Sequence, residues 1–129
     1  MDYRDGPWYH GSPEELTSLR KESMVTPFEA VAKAFSHRPS ILTFPHDIDS
    51  VKHDGQIPGR LYVVSEDVGL DDLRELSGTG HTRWEIQRDL RVELFGAAPV
   101  SDPPQLLGEE LRRAQEEKAR VGKGAFFNE

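Results

Sequence analysis

The 129-residue sequence predicts an α+β fold: a small mixed, mostly antiparallel sheet, short helices packed on it, and a C-terminal surface helix. Three features predict it. Arg60-Leu61-Tyr62-Val63-Val64 is β-branched, aromatic and nearly continuous in its apolarity, as a central strand is. Ser12-Pro13-Glu14-Glu15 and Thr26-Pro27-Phe28-Glu29 each place a hydroxyl residue at the N-cap, proline at the first helical position and glutamate at the third. From Leu106 the pattern changes to charged helix, with Glu110, Arg113, Glu117 and Arg120 alternating in sign beside a narrow stripe of Leu107, Leu111, Ala114 and Val121.

Taken in order, residues 8–11 read as a strand ending in Gly11, and residues 14–19 as a helical turn or two behind the Ser12 cap. Residues 23–25 approach the Thr26 cap as a strand. The helix behind that cap runs to about Ser36, with Phe28, Val31 and Phe35 on one apolar stripe that should face the sheet. Residues 41–44 are apolar and bracketed by Pro39 and Pro45, which suits a short strand, while residues 46–59 are polar, turn-rich and without period, hence a loop. After the central strand come a helical turn at 70–76, a flexible connector at 77–80 and two more strands at 84–86 and 90–95. In the last of these Leu90, Val92 and Leu94 share a face. A proline-rich boundary at 99–104 divides residues 1–98, the sheet domain, from residues 99–129, whose helix docks on the same domain or on a protein partner. Phe126-Phe127 on the polar tail is expected to pack locally.

Composition limits the chemistry. A chain of this length can bury roughly two thirds of its unfolded surface and hold a core without staples. It has no cysteine, so disulfides, thiolate metal sites and cysteine nucleophiles are excluded. No segment approaches the roughly 18 apolar residues of a membrane span and no signal sequence opens the chain, so the expected compartment is the cytoplasm. Sixteen Lys and Arg against 23 Asp and Glu give a formal charge of −7, which repels nucleic acid but still allows a small anion held by local arginines or helix N-termini. His46, Asp47, Asp49, His53 and Asp54 cluster in the 46–59 loop without metal-ligand spacing, so the loop reads as solvated and no metal is expected. Phosphate-loop, Rossmann and serine-elbow motifs are missing.

The most informative stretch is Trp8-Tyr9-His10-Gly11-Ser12. Together with Met24-Val25-Thr26 entering a helix, Arg60-Leu61-Tyr62-Val63-Val64, Asp71-Asp72, and Gly80-His81-Thr82-Arg83 before a last pair of strands, it resembles the NAD-dependent ADP-ribosyltransferases. The order and spacing are similar to the small rifamycin-modifying branch, and the His-Gly-Ser turn also to the poly-ADP-ribose polymerase side. The likeness spans roughly residues 8–95 and implies a split sheet, NAD as substrate and an acceptor for ADP-ribose.

In such enzymes the residue matching His10 hydrogen-bonds the nicotinamide ribose, and the glycine matching Gly11 offers its N–H and C=O to the carboxamide. Ser12 would contact the ribose or cap the following helix. The position of the family's ring-stacking tyrosine is held by Met24, and a thioether touches an aromatic face without stacking flat. Phe35 falls where the polymerase branch often has another stacking aromatic, or else belongs to the helix's apolar stripe. For the acid, Glu85 is favoured over Asp71 and Asp72, because Trp84 and Ile86 flank it and strand alternation sends it the other way. Nicotinamide leaves through an oxocarbenium-like transition state, which a held ribose and a nearby carboxylate favour. His10 and Glu85 are thus the expected catalytic pair, converging on one cleft. Tyr9, Gly11, Ser12, Met24, Thr26, Phe35, Asp72 and Arg83 form the expected cofactor-binding set, with Arg20 and Arg60 as further candidates for the pyrophosphate. A non-catalytic relative that binds a ligand or a protein is the alternative.

Overall fold

The strongest strand of the sequence lies in the middle of the main sheet. In this computed structural model, which describes residues 7–44, 47–76, 82–121 and 126–128, the elements run in the order β1 (Tyr9–Ser12), β2 (Ser18–Leu19), β3 (Met24–Val25), α1 (Glu29–Ser36), β4 (Leu42–Phe44), β5 (Lys52–His53), β6 (Gly59–Val64), β7 (Leu73–Glu75), β8 (Trp84–Ile86), β9 (Leu90–Ala98), α2 (Gly108–Val121) and β10 (Phe126–Asn128). It is a small mixed α+β protein. The four-stranded sheet has the order β1-β6-β9-β2 and a three-stranded one β3-β8-β7, all antiparallel; β10-β4-β5 forms a third, in which β10 runs parallel to β4.

One bridge joins the first two sheets. Tyr9 N–H donates to the Thr26 carbonyl at 2.8 Å and Thr26 N–H to the Tyr9 carbonyl at 3.0 Å, and pairing between β1 and β3 stops there. The core is built on that junction: Trp8 and Trp84 meet edge to face at 5.1 Å, surrounded by Leu19, Val25, Tyr62, Ile86, Leu90 and Val92. A second cluster of Ala34, Leu42 and Val51 lies under α1, and a third of Ile41, Leu106 and Ala114 holds α2.

Several expectations are corrected. No helix forms behind Ser12. Its hydroxyl accepts the Glu14 N–H at 3.1 Å in a turn, and the Tyr62 hydroxyl accepts the Leu16 N–H at 3.0 Å while donating to the Glu14 carbonyl at 2.7 Å. Those backbone groups are the ones a helix would have used, and the chain stays extended to pair Ser18–Leu19 with β9. The second helix start is real but shifted: Phe28 is the N-cap of α1, without a side-chain bond, while Thr26 Oγ1 accepts the Phe28 N–H at 3.2 Å and donates to the Thr82 carbonyl at 2.6 Å. The 46–59 segment contains a 3₁₀ turn at Ile48–Ser50 and strand β5, and His53 is wholly buried rather than solvated. The 70–76 segment is a 3₁₀ turn, Leu70–Asp72, that gives way to β7.

On β9, Leu90 and Val92 are buried but Leu94 is 62% exposed. The register steps from Leu61↔Gly96 to Tyr62↔Leu94, leaving Phe95 as the extra residue of a bulge next to Leu94. Helix α2 begins at Gly108, two residues later than the charge pattern implies; Leu106 is buried beneath it and Leu107 is exposed. It packs through Ala114 and Leu111 against Ile41 and is tied by Lys52 to Glu110 at 2.8 Å. The 77–80 connector, His46 and His81 lie outside the described residues. Among the described residues, no helix is long and apolar enough to cross a membrane.

Candidate functional site

Strand β1 has two polar edges, and only one of them is fully used. In an antiparallel ladder alternate residues turn their N–H and C=O to opposite neighbours. Val64 N–H donates to the Trp8 carbonyl at 2.9 Å, so Trp8, His10 and Ser12 direct their backbone groups to β6, and Tyr9 and Gly11 direct theirs to β3. Tyr9 is satisfied by Thr26. At Gly11 the strands have already parted, and among the described residues neither its N–H nor its C=O has a hydrogen-bond partner. The residue type has a second cause: a Cβ at Gly11 would lie 1.7 Å from the Ala32 carbonyl oxygen, so α1 sits on β1 only because no side chain intervenes.

The His10 ring fills the start of that opening. Its Nδ1 is 2.7 Å from the Met24 carbonyl, the group Gly11 would otherwise have met. A carbonyl can only accept, so Nδ1 carries the hydrogen and, in the neutral ring, Nε2 presents a lone pair. Burial lowers the pKa of His10, more than its bond to Met24 raises it, so the neutral form is the one favoured. Nε2 has no partner among the described residues. It is not sealed from solvent either, since the buried unpartnered side-chain nitrogen there is Trp8 Nε1.

Met24 links the two residues expected to act together. Its carbonyl holds His10, and its register partner on β8 is Glu85. Val25 pairs with Trp84 on the core side, so alternation puts Glu85 on the other face with Met24, in agreement with its apolar flanks. The next strand adds a residue that no sequence motif marks. Arg74 stands opposite Glu85, and its guanidinium reaches Glu85 Oε1 at 2.7 Å; the carboxylate side chain is 18% exposed and the arginine 65%. Nothing local in the sequence signals this pair, because it is created by the β7–β8 register.

The remaining candidates scatter in role. Tyr9 meets Phe95 edge to face at 5.7 Å, and burial, then the Glu29 charge, raises its hydroxyl pKa. Ser12 and Thr26 are buried, their hydroxyls engaged in the turns above. Phe35 packs on the second core cluster with the Arg83 guanidinium 5.2 Å from its ring centroid, and burial lowers the pKa of Arg83. Asp72 accepts the Gly69 N–H at 2.8 Å and Arg88 Nε at 2.9 Å; the backbone bond first and Arg88 second lower its pKa. It is a turn residue here. Arg60 leans outward on the Pro13 carbonyl and Glu15.

No family model, curated protein or solved structure matches this chain. The distinguishing content of the candidate site is a backbone donor and acceptor at Gly11 beside an imidazole lone pair at His10, an arrangement that matches a planar amide next to a hydroxyl. Among the described residues no group of three or more His, Asp or Glu is placed to hold a metal ion. A groove of about 380 Å³ between Ser40, Asp54 and α2 residues Gln115 and Lys118 contains none of these residues.

Proposed function

We propose that the chain binds NAD at the opening between β1 and β3, cleaves the bond between nicotinamide and ribose, and transfers ADP-ribose to an acceptor. The observation that carries this reading is the open backbone pair of Gly11 beside the lone pair of His10. Gly11 N–H donates to the carboxamide oxygen and Gly11 C=O accepts from its NH₂, while His10 Nε2 accepts a ribose hydroxyl. Glu85 supplies negative charge to the cation that develops as nicotinamide departs. The junction of the two sheets at a single bridge fits the split sheet of an ADP-ribosyltransferase-like fold.

A second reading has its own support. Met24 stands where a stacking tyrosine is expected, and Glu85 is already held by Arg74, which suits a fold relative that binds a ligand or protein without turnover. Incubation of the pure chain with NAD, monitoring free nicotinamide, separates the two. Release that falls by a factor on the order of 100 or more in both His10→Ala and Glu85→Gln is the expected result, the scale of losing one stabilising group. No release by the wild type, or release by both variants undiminished from that of the wild type, removes catalysis; NMR shifts at Gly11 on adding NAD without turnover then leave the binding module.

A further inference from the structure

Strand β9 has a side that the sheet leaves open. There β2 pairs only with Leu90 and Arg91, and the Val92 N–H donates to the Thr17 carbonyl at 3.0 Å. Further along, no strand among the described residues pairs with this side. Alternation turns the backbone groups of Leu94 the same way as those of Val92. Past the bulge the direction follows from the register: Leu61 stands opposite Gly11, whose polar groups face β3, so Leu61 faces Gly96 across the β6–β9 ladder and Ala97 is turned outward. The open stretch ends at Ala98, which is buried. Its side chains suit a contact. Leu94 and Phe95 are both exposed, and Glu93 is the one charge in residues 92–98, whereas open edges are ordinarily guarded by lysines, prolines, repeated charge or a bulge. The bulge is the main such guard here.

We propose that a second copy of this chain covers that edge, its β9 pairing antiparallel with this one about a two-fold axis between Phe95 and Gly96. In this register the outward groups of Leu94 meet those of Ala97 of the second copy, and Phe95 stands opposite Gly96. The faces agree. Phe95 packs edge to face on Tyr9, and Gly96 is linked through Leu61 to Gly11, so both lie on the face that carries Tyr9 and Gly11. Leu94 and Ala97 pair with Tyr62 and Arg60, on the other face. Shape agrees as well. A Cβ at Gly96 would meet nothing within 4 Å among the described residues, so the space above it is open, and the Phe95 ring, held by Tyr9 at 5.7 Å, is the body to fill it. A two-fold axis brings ring and slot together twice, as an isologous contact requires. The bulge favours a copy over an unrelated strand, because only a partner with the same extra residue keeps both hydrogen-bonding pairs in step. Glu93 falls opposite Ala98, so no like charges meet across the ladder.

This pairing does not depend on NAD chemistry and is tested without it. Sedimentation equilibrium of the full chain from about 10 μM to about 1 mM should show the average mass rising from one chain toward two, the range of a small, reversible contact. Added salt should tighten it, since each chain carries −7 and the contact itself is uncharged. Amide exchange at Leu94 and Ala97 should slow by about threefold or more between the two ends of that range, while α2 is unaffected. Gly96→Val fills the slot of the second copy without touching its own chain, so it should keep the wild-type urea midpoint and sediment as one chain throughout. A single-chain mass at every concentration overturns the proposal and leaves the bulge as a sufficient guard, or the edge to a different protein. Association that weakens with salt, protection that maps to α2, or a Gly96→Val chain that pairs as readily as the wild type also overturns it. The wild-type measurements decide the matter even where the variant does not fold.

Discussion

Gly11 serves two demands at once, and they can be separated. Its backbone pair faces the opening, which any residue could supply, but its missing side chain admits α1, which only glycine allows. Gly11→Ala is accordingly expected to destabilise by about 3 kcal/mol, the upper range of overpacking, because a helix backbone rather than a flexible side chain must give way. Urea unfolding checks it; a loss within about 1 kcal/mol would mean that α1 does not rest directly on β1. The importance of His-Gly-Ser is legible in the sequence, and so is the side of the strand that Glu85 takes, since alternation beside Trp84 and Ile86 is local. Arg74 is not, because its only relation to Glu85 is a register between separate strands. The sequence pattern sets the helix cap at Thr26, two residues early, since the Thr26 hydroxyl is also claimed by Thr82, 56 positions along the chain.

Two nearly identical helix-start signals have opposite outcomes, and the difference lies in the apolar residues behind each. Behind Thr26-Pro27 come Val31, Ala32 and Ala34, all buried, which give α1 an apolar face to lay on β1 and β6. Behind Ser12-Pro13 only Leu16 and Leu19 are apolar before the charged turn, too little to hold a short helix, and the Tyr62 hydroxyl takes the backbone groups instead. Caps state where a helix can begin, and packing decides whether it does. The same limit applies to β9, whose alternation is legible while its bulge at Phe95 is not. The two leucines on that strand should therefore respond differently. Leu90→Ala removes a side chain 1% exposed in the tryptophan core and is expected to cost about 2–5 kcal/mol, in the range of other core truncations, whereas Leu94→Ala at 62% exposure should stay within about 0.5 kcal/mol. Equal losses in a denaturant titration would place both leucines in the core.

Across the whole molecule the sheets run β7-β8-β3, then β1-β6-β9-β2, joined at the Tyr9–Thr26 bridge, so the candidate opening lies at the centre of the molecule's longest run of strands rather than at its rim. Two of the histidines packed into this architecture, His10 and His53, have their pKa values lowered chiefly by burial. Linkage fixes the sign of their joint effect. Below about pH 6.5 the unfolded chain takes up protons on both rings while the folded chain does not, so stability is full above that pH and is lost as pH falls toward the depressed native values. The carboxylates with lowered values, Glu66, Asp72 and Glu109, start from ordinary values of 4.5, 3.8 and 4.5 and act only at still lower pH. The interval from about pH 6.5 to 5 thus isolates the histidines. Over it the urea midpoint should decline with an unchanged slope, and His10→Gln should decline less steeply, because its uncharged amide removes one of these two rings. A wild-type midpoint constant across that interval would show that neither ring is enclosed as neutral imidazole, and with that the tautomer that gives His10 its free Nε2 would have no basis.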